Sequence, residues 1–234
     1  MPGVPIGGVQ WTTVIDFPGR VAAVLFTIGC SFRCPFCHNP GLVDPDRLSD
    51  PVDLGDLWNR LEERADFLDG VVVSGGEPTV HPALPALLER IKRLGLRVKL
   101  DTNGSRPDVL SALLGDGLVD YVAMDVKAPA ADYARLTGVA GEVGAVEASI
   151  ARIRRDAPDY EFRTTVAPTL TRDHVLQVAA WLEGAKRYVL QAFRTPETGL
   201  LDSSWEARPA LSKDELDALW EDVRASFSDG GVRG

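Results

Sequence analysis

The chain has 234 residues, of which 45% are hydrophobic and 25% are charged, and its formal net charge is −9 at pH 7. This length and composition predict a single domain, residues 1–234, that buries its own core. The acidic balance argues against binding to nucleic acid or to an anionic membrane surface.

The elements alternate along the chain between short β-branched runs and longer amphipathic segments. Six strands are predicted, at residues 21–28, 71–74, 97–101, 121–125, 160–166 and 187–193. Helices are predicted at residues 53–68, 81–94, 107–114, 143–157, 173–183 and 213–227. Ser212 is the expected N-cap of the last helix, and the glycine-rich residues 229–234 are expected to fray.

Regular βα alternation favours a parallel sheet with crossover helices, either doubly wound or curled into an incomplete barrel. In both cases binding residues gather at the carboxyl ends of the strands. No segment approaches the roughly 20 apolar residues needed to span a bilayer. The chain also shows no targeting pattern, so a cytoplasmic protein is expected.

Polar and ionisable residues occur at the end of every predicted strand, which is the pattern expected of a site on one rim of the sheet. In chain order they are Cys30, Cys34 and Cys37; residues 75–78; residues 101–104; residues 125–127; residues 163–165; and Gln191.

Cys30, Cys34 and Cys37 are the only cysteines, and their odd number disfavours disulfide pairing. Residues 34–38 match the C-x-x-C-H pattern of c-type haem attachment, which requires export. A zinc site of three thiolates and His38 is a chemical alternative. Three thiolates could instead hold a [4Fe-4S] cluster and leave one iron open for a reacting ligand. The cysteines alone leave these last two alternatives open.

Two other strand ends allow both a structural and a binding interpretation. Residues 75–78, Gly-Gly-Glu-Pro, lack the pattern of a phosphate loop. They could form a tight turn or let a ligand approach the backbone. Asp101, Asp125 and Lys127 end apolar strands, where burial of a charge must be compensated. An internal ion pair or helix cap, a bound cation and a bound ammonium group each satisfy that requirement.

With the C-x-x-x-C-x-x-C spacing, Phe36 before the third cysteine and Gly-Gly-Glu-Pro after the next strand, the chain resembles the radical S-adenosylmethionine superfamily. Within it, the chain is most similar to the glycyl-radical-enzyme activases, over about residues 9–193. The segments that carry this second similarity are residues 16–20, 26–30, 37–40, 101–104, 124–127 and 162–166.

The resemblance implies an α/β fold of the radical SAM type, a partial (β/α)6 TIM-type barrel open on one side, with its core at about residues 15–195 and a C-terminal helix at 212–227. It implies that three irons of a [4Fe-4S] cluster bind Cys30, Cys34 and Cys37, and that the fourth binds S-adenosylmethionine. Further cofactor contacts are implied for Phe36 (adenine) and for the backbone of Gly75, Gly76 and Glu77 (methionine ammonium), and Pro78 of the same loop is also implied as cofactor-binding.

The remaining implied contacts come from similarity to pyruvate formate-lyase activases. Asp101, Thr102 and Asp125 would coordinate a monovalent cation, and Lys127 and Arg163 would face the cofactor carboxylate or the substrate. The sixth strand departs from those activases, which carry a histidine near the ribose. Here Gln191 occupies that strand, and a ribose contact is expected from its position alone.

The function implied is reductive cleavage of S-adenosylmethionine to place a glycyl radical on a partner enzyme. The partner implied is anaerobic ribonucleoside-triphosphate reductase, with a flavodoxin- or ferredoxin-type electron donor. The alternative enzyme is a small-molecule member such as 7-carboxy-7-deazaguanine synthase, and the non-enzymatic alternative is a zinc-braced interaction domain.

Overall fold

The computed structural model describes residues 3–48 and 50–234, and within them it contains one eight-stranded sheet and seven α-helices. The strands are β1 Ile6–Thr13, β2 Ala22–Thr27, β3 Gly70–Gly75, β4 Arg97–Thr102, β5 Tyr121–Asp125, β6 Tyr160–Val166, β7 Arg187–Ala192 and β8 Asp229–Arg233. The helices are α1 Leu54–Arg64, α2 Leu84–Arg93, α3 Pro107–Gly115, α4 Tyr133–Thr137, α5 Val143–Asp156, α6 Arg172–Trp181 and α7 Lys213–Val223.

The strands lie in chain order, and every neighbouring pair from β2 to β8 is parallel, whereas β1 runs antiparallel to β2. Within the described ranges β1 and β8 are the ends of the sheet and do not pair with each other. The predicted α/β class and the partial barrel of six βα strands, β2–β7, are therefore confirmed. The sheet stays open between β1 and β8.

The parallel strands read as apolar runs because both of their faces are covered. In β3, residues 70–73 are all buried, and the outward faces of the strands pack against buried leucines of α1 and α2. A smaller apolar cluster lies inside the curve of the sheet and includes Phe17, Val72 and Tyr121. Such filling is how a small barrel forms a core rather than a pore.

The helices begin where side chains satisfy their first backbone N–H groups. The Asp53 carboxylate accepts from Asp56 N at the start of α1. Ser212 caps α7 as predicted, in a reciprocal capping box with Glu215. In the part of the chain described by the structure, no helix is both long and apolar enough to cross a membrane.

Two strands and one short helix were missing from the sequence prediction, and glycine explains the strands. β1 contains Gly7 and Gly8, which are unusual in strands. Gly7 is needed because a Cβ there would overlap Leu42 and Ile28. The expected fraying of residues 229–234 is wrong, since residues 229–233 form β8 beside β7. Gly230 has φ +150°, and a Cβ there would overlap the Tyr188 carbonyl.

Candidate active site

The three cysteines lie on the loop that follows β2, and all three line one cavity of about 920 Å³ at the carboxyl rim of the sheet. Cys34 is buried, and Cys30 and Cys37 are half-buried. The loop is held by backbone bonds, among them Arg33 N to Thr137 O at 2.7 Å and Cys37 N to Cys34 O at 3.0 Å. The sequence therefore places three soft ligands on one rigid turn facing the cavity.

Burial keeps these thiols protonated in the protein without a metal. It raises the pKa of Cys30 to about 11, with a further contribution from the Glu77 carboxylate, and it raises the pKa of Cys34 to about 12. The pKa of Cys37 is also raised by burial. A soft metal that binds the thiolates must displace these protons, so its binding releases protons.

The residues fit an iron-sulfur cluster better than a single metal ion. Among the described residues there is no group of three or more His, Cys, Asp or Glu side chains spaced to hold one ion. The His38 ring packs on Phe193, with centroids 5.6 Å apart, and its buried Nε2 has no hydrogen-bond partner among the residues that the structure describes. A cluster places each thiolate on a different iron, so its ligands need not converge on one point.

The Gly-Gly-Glu-Pro segment follows β3, and its glycines are needed by the protein itself. A Cβ on Gly75, which has φ +111°, would lie 2.6 Å from Thr27 O, and a Cβ on Gly76 would overlap the Gly29 carbonyl. The backbone N–H groups of Gly76 and Glu77 donate to those same carbonyls, at 2.9 and 2.8 Å. Its carbonyl oxygens are what this segment can offer a ligand, and they suit an ammonium group.

The Glu77 side chain is fully buried and ties the segment to the end of β4. Its carboxylate accepts from Thr79 N at 3.1 Å, Thr79 Oγ1 at 2.5 Å, Thr102 Oγ1 at 2.8 Å and Asn103 N at 2.6 Å. Burial nevertheless raises its pKa, and these four donors offset only part of that effect. The Glu77 side chain therefore holds the two loops together, and its oxygens are occupied by hydrogen bonds within the protein.

Arg163 on β6 joins the carboxylates that end β4 and β5. Its Nε lies 2.8 Å from Asp125 Oδ1, and its Nη1 lies 3.3 Å from Asp101 Oδ2. Lys99 and Lys127 complete the network, 2.5 Å from Asp101 and 2.9 Å from Asp125. Glu161 extends the network, 3.9 Å from Arg163 and 3.2 Å from Arg233, so three acids and four bases form a continuous chain of ion pairs along the inner face of the sheet.

These ion pairs outweigh the cost of burial. Burial alone would raise the pKa of Asp101 and Asp125, but Arg163 and the adjacent lysines hold both values below the usual range. Burial would likewise lower the pKa of Lys127, and Asp125 raises it instead. The lowered pKa of each aspartate and the raised pKa of Lys127 keep these three groups charged at neutral pH. The network has four bases and three acids, so a surplus of positive charge is available to a ligand carboxylate.

The structure brings the predicted site residues together with one exception. The cavity is lined by Cys30, Cys34, Cys37, Phe36, Gly75, Gly76, Glu77, Asp101, Thr102, Asp125, Lys127, Arg163 and Gln191. Pro78 does not line it; this residue is buried and begins a 3-10 turn, and its cofactor contact stays a prediction. Phe36 also packs against Trp205, with centroids 5.7 Å apart.

Several cavity residues were not predicted. Arg194 and Arg233 line the cavity near its edge. Asn103 and Thr165, which lie in predicted rim segments without an assigned role, and His38, considered only as a zinc ligand, also line it. Strand alternation could have revealed the buried Lys99 and Glu161, which reach the site through Asp101 and Arg163. Lys99 and Asp101 are two residues apart, as are Glu161 and Arg163, so each pair shares a strand face. Nothing in the sequence pattern indicated that Arg194 and Arg233 would line the cavity before the strand order was known.

Comparison with known proteins identifies the class of enzyme. The family model of the Radical SAM superfamily matches residues 24–182, more than half of the chain, and the chain belongs to this superfamily. It is therefore an enzyme of a family whose members use a [4Fe-4S] cluster and S-adenosylmethionine. The three thiolates and the carbonyl-lined loop on one cavity agree with that assignment.

Two relatives from archaea extend the comparison. The chain is 28% identical over 220 residues to a protein of Methanocaldococcus jannaschii with the provisional name glycyl-radical enzyme activating enzyme, covering 92% of this chain and 89% of the relative. It is 35% identical over 132 residues to 7-carboxy-7-deazaguanine synthase of Methanopyrus kandleri, covering 48% and 52%. The first similarity spans nearly the whole of both chains, and the second spans about half.

A bacterial relative and two solved structures are also similar to this chain. The pyruvate formate-lyase-activating enzyme of Staphylococcus aureus is 37% identical over 97 residues, covering 38% of this chain and 37% of the relative. Streptococcus suis SuiB bound to S-adenosylmethionine has a TM-score of 0.68 at 13% identity, covering 88% of this chain and 48% of that one. Native anSMEcpe with bound AdoMet has a TM-score of 0.59 at 14% identity, covering 84% of this chain and 57% of that one. At such identities the structures show the fold alone.

Proposed function

We propose that this enzyme activates a glycyl radical enzyme. When bound, the cluster would supply one electron that cleaves S-adenosylmethionine to methionine and a 5′-deoxyadenosyl radical, which takes a hydrogen atom from a glycine Cα of the partner and becomes 5′-deoxyadenosine. The observation that carries the proposal is one cavity lined by three thiols, a carbonyl-presenting loop and two cations, beside an open edge of the sheet. The near full-length similarity to the M. jannaschii protein supports it.

Each side chain has a binding role in this proposal. Cys30, Cys34 and Cys37 would bind three irons, and the carbonyl oxygens of residues 75–77 would accept hydrogen bonds from the methionine ammonium. Lys127 and Arg163 would face its carboxylate because both cations line the cavity together with the three thiols. Phe36 would contact the adenine and Gln191 the ribose; Gln191 already lies 3.5 Å from the Thr165 hydroxyl.

A monovalent cation would have to share its ligands with the protein. Asp101 and Asp125 already bind Arg163, and the Thr102 hydroxyl donates to Glu77. We propose that any such cation binds only together with the S-adenosylmethionine carboxylate, which would add oxygen ligands. Dependence of cofactor affinity on potassium concentration tests this. Equal affinity with and without potassium would rule the cation out.

The partner proposed is anaerobic ribonucleoside-triphosphate reductase, whose glycine-bearing loop would enter between β1 and β8. The open sheet supports entry of a polypeptide rather than only a small molecule. A flavodoxin- or ferredoxin-type protein would supply the electron. We place the reaction in the cytoplasm, where three free thiols stay reduced.

The test is electron paramagnetic resonance of the reconstituted enzyme mixed anaerobically with the reductase, S-adenosylmethionine and a reductant. We expect a glycyl-radical signal that requires all four components and is lost with Cys34→Ala. A matched reaction with pyruvate formate-lyase as partner checks specificity. A signal only with the second partner would change the assigned partner, and no signal with either would contradict activation.

The similarity to 7-carboxy-7-deazaguanine synthase supports a second candidate, a small-molecule reaction at the same cavity. Incubation with the substrate of that synthase distinguishes the two. Formation of 7-carboxy-7-deazaguanine without any partner protein would favour the synthase. A colourless, zinc-containing protein after anaerobic reconstitution would favour the zinc-braced domain instead.

A further inference from the structure

Asn103 lies where three loops of the cavity rim meet. Its backbone N–H donates to Glu77 Oε2 at 2.6 Å, which links it to the loop after β3. Its side-chain Oδ1 accepts from Ser105 N at 2.9 Å, within its own loop after β4. Its Nδ2 donates to Ser31 Oγ at 3.0 Å, on the cysteine loop after β2. The residue is buried, with 6% of its surface exposed.

These bonds fix the direction of the amide. Because Oδ1 is used by the Ser105 N–H, the NH₂ group must face the cysteine loop. There it also lies 3.8 Å from Cys30 Sγ, within reach of a hydrogen bond to sulfur. The same sulfur accepts from Phe32 N at 3.3 Å. Cys30 is therefore a ligand whose sulfur has both a backbone and a side-chain donor.

We propose that Asn103 is a positioning residue that raises the reduction potential of the cluster through its N–H donor to Cys30. Hydrogen bonds to ligand sulfur are among the factors that set cluster potentials. A donor stabilises the reduced cluster more than the oxidised one, because the added electron increases negative charge on sulfur. The inference rests on the cluster bound by the cysteines and is independent of the partner enzyme.

The contacts of Asn103 also join the cluster loop to the cofactor loop. Glu77 holds residues 75–77 in place, and Asn103 is the residue that contacts both Glu77 and Cys30. Ser31 and Ser105 complete the connection, with their hydroxyl oxygens 2.7 Å apart. Ser105 has no hydrogen bond to a cysteine sulfur in the described contacts, so it is a matched control from the same cluster of bonds.

The experiment is a redox titration of the reconstituted enzyme, followed by electron paramagnetic resonance without S-adenosylmethionine or partner. Asn103→Leu has the same side-chain shape without a donor, and we expect its potential to be lower than that of the wild type. Ser105→Ala loses the hydroxyl contact but keeps the donor, and its potential should equal the wild-type value. An unchanged potential in Asn103→Leu, or equal shifts in both variants, would overturn the proposal.

A second variant covers the case in which Asn103→Leu does not take up iron. Asn103→Asp keeps the acceptor for Ser105 N and removes the donor to sulfur, so its potential should also be lower. A value at or above that of the wild type would overturn the proposal. Because neither titration uses S-adenosylmethionine, failure of the activase function would leave these results unaffected and separately visible.

Discussion

The two halves of the cavity are built from different interactions. The cysteine side, residues 27–39, 74–79 and 102–105, is held by backbone and neutral hydrogen bonds around one buried carboxylate, Glu77. The ion-pair side, formed by Lys99, Asp101, Asp125, Lys127, Glu161, Arg163 and Arg233, is held by full charges.

This difference suits the two tasks of the site. Reduction potential depends on the charges around a cluster, and the cysteine side brings few of them close. A carboxylate-bearing cofactor needs a positive surface, and the ion-pair side supplies one without leaving an unpaired buried charge. The two sides still act on each other, because the charge of Lys127 works against the rise in the pKa of all three thiols.

The largest effect is expected from Arg163→Met on the ion-pair side. The variant leaves Asp101 and Asp125 facing each other, and removing one partner of a buried pair costs about 3–5 kcal/mol of unfolding free energy. Chemical denaturation measures it. Arg163→Lys keeps the charge, so its loss of unfolding free energy should be clearly smaller. Equal losses in the two variants would show that shape, and not charge, holds this side together.

Gly76→Ala tests the close backbone contact on the cysteine side. The new Cβ would overlap the Gly29 carbonyl, a backbone atom that cannot turn aside, so we expect a loss of about 3 kcal/mol, at the upper end for overpacking. Gly144→Ala in α5, where no atom lies within 4 Å, is the control and should be neutral or slightly stabilising. Similar melting temperatures for both variants would refute the contact.

Glu77→Gln tests the carboxylate at the centre of the cysteine side. The amide turns one acceptor into a donor that faces N–H and O–H groups, so we expect a loss of about 2 kcal/mol for groups left unpaired. Glu62→Gln, on the exposed surface of α1, should change stability by about 0.5 kcal/mol or less. A neutral Glu77→Gln would mean that these donors find other acceptors.

The smallest effects are the opposite pH dependences of the two sides, about 1.4 kcal/mol per pH unit or less for each group. The lowered pKa of Asp125 means that its stabilisation is complete above about pH 4 and is lost as pH falls through the lowered pKa. The raised pKa of Glu77 has the opposite effect: its contribution to stability is present below about pH 4 and is lost as pH rises through the raised pKa.

Unfolding measured from pH 3 to 8 separates these contributions. In a plot of unfolding free energy against pH, Asp125→Asn should flatten the curve below pH 4, and Glu77→Gln should flatten it above pH 4. The same change of slope in both variants would contradict a division into two sides.

Much of the site could be predicted because the sheet is parallel. Once βα alternation was recognised, Cys30, Gly75, Asp101 and Asp125 were expected on one rim, and the cavity joins them. The separate roles of neighbours were not predictable. Pro78 shares the motif of Gly75 but is buried outside the cavity lining, where the chain enters a 3-10 turn.

The missed features depend on contacts between segments distant in sequence. The strand β8 is glycine-rich, and its place beside β7 relies on Arg187 with Asp229 and on Arg233 with Glu161. The glycines of residues 75–76 suggested ligand approach, whereas their immediate need is to pass the backbone of residues 27–29. Local patterns identify which residues carry chemistry, but not which neighbours require them to be small.

The most direct test of the central claim is the amount of 5′-deoxyadenosine released from S-adenosylmethionine by the anaerobically reconstituted protein after reduction with dithionite. If the three thiolates on the cavity hold a cluster with one open iron, the wild-type protein will release 5′-deoxyadenosine and methionine in equal amounts, and Cys34→Ala will release neither. A reconstituted wild-type protein that contains iron and sulfide yet releases no 5′-deoxyadenosine, or a Cys34→Ala variant that releases as much as the wild type, would contradict the account.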